Sequence, residues 1–96
     1  MGISAINREA VLASVAEFDR IGRDIFLRKY GFGRAKSCWL LYEGKRYDAK
    51  AIVGAAHGYA EPTVGPLMSR KFAGGDGPVT HRLRALGFIV ELAGKA

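Results

Sequence analysis

Apolar residues recur every three or four positions at Val11, Leu12, Val15 and Phe18, the period of one helical face. Asn7 stands where a side-chain oxygen can cap the first turn of that helix. Gly22, between Arg20 and Arg23, predicts a break, and Asp24 to Tyr30 then reads as a second helix closed by Gly31. The period changes to two at Cys38-Trp39-Leu40-Leu41-Tyr42, where aromatic and aliphatic residues precede Glu43-Gly44 and Lys45-Arg46-Tyr47. This is a β-hairpin signature. Alternation puts Trp39 and Leu41 on one face and Leu40 and Tyr42 on the other, and two apolar faces predict a sheet covered at least in part on both sides.

Asp48 falls at an N-cap position, and Ala49 to His57 reads as a helix of Ala, Ile, Val and Gly with Gly58 at its end. Ala51, Gly54, Ala55 and Gly58 lie three or four apart, so a second backbone can approach closely. An interior glycine costs about 1 kcal/mol against alanine, and that contact is the expected compensation. Glu61 to Gly65 is a loop, Leu67 to Phe72 reads as one or two helical turns, and Gly74-Gly75-Asp76-Gly77 as a tight loop. Pro78 opens a last helix running to Leu86, with Val79, Leu83 and Leu86 toward the core and Thr80, His81, Arg82 and Arg84 toward solvent. Phe88 to Leu92 closes the chain as a strand. The prediction is an α+β fold, about five short helices around a small three-stranded antiparallel sheet, in a single domain over residues 1–96 with its core at about 7–92.

With 49% hydrophobic residues, 96 residues suffice for a modest core and for one site. The single cysteine, Cys38, allows neither an internal disulfide nor a cysteine-based metal cluster. Of the two histidines, His57 is expected to pack at a helix end and His81 to join a basic face, so no metal and no cofactor is expected. No apolar run approaches a membrane span and no signal peptide opens the chain, so a cytoplasmic protein without a membrane partner is expected.

The formal net charge of +6 is uneven. Residues 1–30 hold five Lys/Arg against four Asp/Glu, and residues 31–96 hold ten against five. Cations recur on both sides of the aromatic hairpin and on the helix after it, as expected where an anionic polymer crosses a small domain. The run Gly31-Phe32-Gly33-Arg34-Ala35-Lys36-Ser37 offers backbone amides, two cations and a hydroxyl to phosphate oxygens, without the spacing of a P-loop. A plain connection with solvated charges would read the same way. The candidate DNA contacts are Arg34, Lys36, Ser37, Lys45, Arg46, Tyr47 and Lys50, with Arg70, Lys71, His81, Arg82 and Arg84 as a second patch.

Tyr30-Gly31-Phe32-Gly33-Arg34-Ala35, the aromatic strand, Arg46-Tyr47-Asp48-Ala49-Lys50-Ala51-Ile52-Val53-Gly54-Ala55-Ala56-His57-Gly58-Tyr59, the Pro66-Leu67 and Phe72 segment and the final Leu86-Gly87-Phe88 together resemble a known family. It is the N-terminal head domain associated with McrA-type HNH endonucleases, modification-dependent restriction enzymes of bacteria. The resemblance covers about residues 7 to 91. It implies a module that targets a restriction nuclease to duplex DNA, with modified DNA as a candidate target and other domains or subunits of a nuclease as further partners. Neither histidine sits in a His-Asn pair and there is no HNH region, so the family's cleavage chemistry is not carried over and no catalytic residue is assigned.

Other readings compete for the same residues. Asp48-Ala49-Lys50 formally fits an Asp-x-Lys signature of metal-dependent nucleases, but that chemistry needs another converging carboxylate. The Gly74-Gly75-Asp76-Gly77 loop either cradles an anion or is capped by its own Asp76. Trp39, Tyr42, Tyr47 and Tyr59 either stack on bases or pack in the core, and Tyr47, set between cations, is the best stacking candidate. A protein-interaction module of a larger nuclease, docking through the Ala/Gly helix, is the main alternative function.

Overall fold

The computed structural model describes residues 3–68 and 77–93. A 3₁₀ turn at Ile3–Ala5 leads into α1 (Arg8–Ile21), α2 (Arg23–Tyr30), β1 (Cys38–Tyr42), β2 (Lys45–Asp48), α3 (Ala49–Ala60), α4 (Gly77–Ala85) and β3 (Ile89–Leu92). The fold is α+β, with four α-helices among the described residues rather than about five. The expected helical turns at Leu67 to Phe72 fall largely outside those residues, and Leu67 and Met68 themselves are not helical. The Gly74-Gly75-Asp76 part of the following loop is outside them too.

Local chemistry explains most boundaries. Asn7 accepts a hydrogen bond from the Ala10 amide at 2.8 Å, which satisfies one orphan donor of α1. The hairpin turns on Glu43 and Gly44 with φ of 49° and 80°. Two consecutive positive φ values match the right-handed twist of the flanking strands, and Gly44 adopts one without steric cost.

The sheet has the order β2-β1-β3, antiparallel throughout, with Leu40 opposite Tyr47 on one side and Val90 on the other. Those three are buried against the helices, together with Cys38, whose Sγ lies 3.5 Å from the Thr80 hydroxyl on α4. The opposite face carries Trp39, Leu41, Arg46, Ile89 and Glu91, and Ile89 is 67% exposed. Of the expected double coverage, the described helices supply one face only. Thr80, expected toward solvent, is buried by its position against β1.

Helix α3 runs through the centre, and every residue from Ala51 to His57 is buried. The Ser14 hydroxyl of α1 donates to the Ile52 carbonyl of α3 at 2.9 Å. An aromatic chain of Phe18, Phe26, Tyr30 and Tyr47, with ring centroids 4.9–5.0 Å apart, joins α1, α2 and β2. Each such ring adds roughly 1.5–3 kcal/mol by leaving water. At Gly54 a Cβ would lie 2.5 Å from the Leu67 carbonyl oxygen and 2.8 Å from the Phe32 ring, and the Leu67 amide donates to the Gly54 carbonyl at 3.0 Å. The small residues thus admit a second backbone, that of Pro66 and Leu67, as their spacing implied.

Candidate nucleic-acid interface

The loop of residues 31–37 is held at both ends and in its middle. At its start the Phe32 amide donates to the Leu27 carbonyl at 2.9 Å, and the Phe32 ring fills the space left by Gly54. Midway the Ala35 amide donates to Asp48 Oδ2 at 2.7 Å, and at its end the Ser37 carbonyl accepts from the Ala93 amide at 2.8 Å. Asp48 is itself gripped by Arg23, whose Nε and Nη2 donate to the two carboxylate oxygens at 2.8 Å each. The fork-to-fork geometry is the strongest form of this pair.

Asp48 stands at the N-cap position of α3 as expected, but its side chain makes no capping hydrogen bond to the helix start. It spends both oxygens on the guanidinium and the loop amide, which removes the carboxylate that a metal-dependent nuclease built on Asp48 and Lys50 would need. Among the described residues no group of three His, Cys, Asp or Glu could hold a metal ion.

Between this loop and the first turn of α3 lies a cavity of about 350 Å³, with Arg34, Lys36, Ser37 and Lys50 in its lining. Arg34 is exposed and pairs with exposed Asp24 at 3.0 Å, and Lys36 is exposed. Four cations, Arg23, Arg34, Lys36 and Lys50, meet two carboxylates here, Asp24 and Asp48. The local balance is positive by two. Three of the predicted cations thus gather around one concave surface.

The hairpin differs from expectation. Lys45 lies 3.7 Å from Asp19 on α1, and Arg46 donates to Glu91 at 2.8 Å while stacking 4.1 Å over the Trp39 ring. With Glu43 at the turn, two cations face three carboxylates. Tyr47 is 2% exposed, packs edge-on against Phe18 and donates its hydroxyl to Asp19 at 2.9 and 3.1 Å. Burial first, then the bond to Asp19, push its phenol up to about 12. Tyr47 cannot stack on a base, because its ring faces the core: the alternation that puts Arg46 outside puts Tyr47 inside.

On α4, His81 and Arg84 are exposed, and Arg84 donates to the Val90 carbonyl at 3.1 Å. Arg82 is half-buried and donates to the carbonyls of Ile6 and Ser4 at 2.7 and 3.1 Å, tying the N-terminal turn to α4. Arg70 and Lys71 lie outside the described residues. His57 is buried and its Nδ1 is 2.8 Å from the Gly65 carbonyl, which can only accept, so Nδ1 carries the proton. Arg23, the residue on which the loop depends, was not among the predicted site residues, since its partner Asp48 lies 25 residues away in the chain.

Residues 4–92 match the family described as ScoMcrA-like, N-terminal head domain. The chain belongs to that family. Its fold is similar to the solved structure of the Type IV phosphorothioation-dependent restriction endonuclease ScoMcrA, with a TM-score of 0.68 and 33% identity over 95% of this chain. The match takes in 14% of that enzyme's chain, so this domain spans about one-seventh of its length. No curated protein matches. The family is defined by the head of such enzymes, and this domain is a head module rather than the catalytic part. No helix among the described residues is long and apolar enough to cross a membrane.

Proposed function

We propose that this ScoMcrA-type head domain is a non-catalytic DNA-binding module that helps a restriction nuclease hold duplex DNA, modified DNA among its targets, inside the bacterial cell. The observation that carries the reading is the Arg23–Asp48–Ala35 clamp, which holds a cation-bearing loop rigid beside a cavity. Phosphate contact needs donors fixed in register with the backbone, and such contacts position a protein without reading sequence. Arg34, Lys36 and Lys50 are the main contacts in this reading, with Ser37 as a neutral donor. His81, Arg84 and Arg82 form the second patch, to which Arg70 and Lys71 belong by sequence. Lys45 and Arg46 are secondary because their charges are already opposed.

The test is a titration of duplex DNA at several salt concentrations. Neutralising about three phosphates gives a log–log slope near −3. A flat response at low salt would remove the electrostatic reading. It would favour the second one, a packing module inside a larger nuclease, for which the uncovered sheet face, with Ile89 67% exposed, is the supporting observation.

A further inference from the structure

Two consecutive residues at the start of α2 hold two consecutive residues of the loop. Arg23 reaches the Ala35 amide through the Asp48 carboxylate, and Asp24 Oδ1 accepts from Arg34 Nη2 at 3.0 Å. The two ties differ in their contact with water. The Asp48 side chain is 4% exposed, whereas those of Arg34 and Asp24 are 66% and 69% exposed. The inner tie is a bidentate pair with a third donor on the same carboxylate. The outer tie is a single contact between two solvated side chains, the kind of pair that contributes little to stability and weakens further in salt. Opening it leaves the path of the loop in place, because Ala35 stays bound to Asp48.

Arg34 also lines the cleft, together with Lys36 and Lys50, and Lys36 is exposed. A guanidinium binds carboxylate and phosphate oxygens through the same N–H donors. Asp24 therefore engages a donor that a DNA phosphate needs at Arg34. The carboxylate also keeps a favourable place once Arg34 leaves it. It lies in the first turn of α2, where the helix carries partial positive charge, and the N-cap residue there, Gly22, has no side chain to use the free amides. Exchange of Asp24 for a phosphate thus costs little on either side.

We infer that Asp24 is a built-in competitor of DNA for Arg34: in the free domain its carboxylate stands in for a backbone phosphate, and duplex DNA binds the cleft by displacing it. The inference rests on the DNA-binding reading above and assigns a residue that sets the affinity of that site. A purely supporting role for the pair has the opposite sign, since loss of a support loosens the loop and weakens binding.

The experiment is a double-mutant cycle, read by fluorescence anisotropy with one matched duplex at a fixed low salt concentration. Asp24→Asn is expected to tighten binding about two- to fivefold, the range set by an exposed ion pair. Arg34→Ala should weaken it. With Arg34→Ala already present, adding Asp24→Asn should change the affinity little, because no guanidinium remains to be released. Tightening of equal size in both backgrounds overturns the inference, since Asp24 would then act through net charge alone. Weaker binding by a folded Asp24→Asn variant overturns it as well and makes the pair a support of the loop. Should Asp24→Asn fold poorly, Asp24→Ser, which keeps an oxygen at the helix start, takes its place in the cycle. Duplex binding by the parent with no change in Asp24→Asn removes this inference and leaves the DNA reading standing. Absence of duplex binding by the parent removes both.

Discussion

The guanidinium of Arg23 and the carboxylate of Asp48 form two parallel 2.8 Å hydrogen bonds across 25 residues, with the Asp48 side chain 4% exposed and the Arg23 side chain 40%. The pair joins the start of α2 to the end of β2. Through the third contact of Asp48, on the Ala35 amide, it sets the path of the loop that lines the candidate cleft. A buried carboxylate keeps its charge only if its lone pairs are used, and here two donors from separate elements use them.

Asp48→Ala is expected to destabilise the domain by about 1–3 kcal/mol. The Ala35 amide loses its acceptor, and the ion pair, open to water on the arginine side, adds only a screened contribution. In a domain of this size each kcal/mol lowers the thermal midpoint by about 4–8 °C. Loop amide signals of residues 33–37 should broaden or shift before the rest of the spectrum changes. An unaltered midpoint with an unaltered loop would show that the clamp is dispensable.

Gly54→Ala tests the close approach on α3. The new methyl would sit 2.5 Å from the Leu67 carbonyl oxygen, a backbone atom, and 2.8 Å from the Phe32 ring. Helix propensity alone favours alanine by about 1 kcal/mol. Overpacking opposes it by roughly 1–3 kcal/mol, so a net loss in the denaturant midpoint is expected, larger for Gly54→Val. A gain in stability would mean that Phe32 and the Pro66–Leu67 segment move aside freely.

Stability should fall at both ends of the pH range for separate reasons. Tyr47 is pushed up to about 12 by burial and by its bond to Asp19. A phenol raised in the folded state stabilises fully below its unfolded value near 10, and that contribution disappears as pH rises through 12. Burial works to raise the Glu17 carboxyl, but the hydrogen bonds from Lys29, Tyr30 and Tyr59 together bring it below the ordinary value. Its contribution is complete above the ordinary carboxylate range and is lost as pH drops below it. Denaturation midpoints against pH should show both limbs, with the alkaline limb shallower in Tyr47→Phe and the acid limb shallower in Glu17→Gln.

Charge reversal distinguishes the cleft from the hairpin. Lys36→Glu is expected to weaken duplex DNA binding at least tenfold, about 1.4 kcal/mol, with little change in melting. Arg46→Glu should change it by about threefold or less, because Glu91 already opposes that charge. The reverse order in a gel-shift or anisotropy titration would make the hairpin the binding surface.

Much of this fold follows from short-range physics that a sequence displays directly. The Asn7 cap, the Gly22 break, the hairpin at Glu43-Gly44 and the central Ala/Gly helix each depend on a few neighbouring residues and on side-chain periodicity, so they are legible without coordinates. The family resemblance was legible too, because it lies in a contiguous run around Arg46 to Tyr59. What the tertiary structure alone decided is where each charge ends up. Asp48 looked like a cap since its neighbours form a helix start, yet Arg23, distant in sequence, binds it more strongly than the helix amides do. Tyr47 looked accessible between two cations, but the pleat turns alternate residues to opposite faces, and the helix behind β2 covers its ring. Lys45 and Arg46 looked free until Asp19 and Glu91 arrived from α1 and β3. Cations can be counted along a chain, but whether they remain uncompensated depends on partners that only long-range packing brings within a few ångströms.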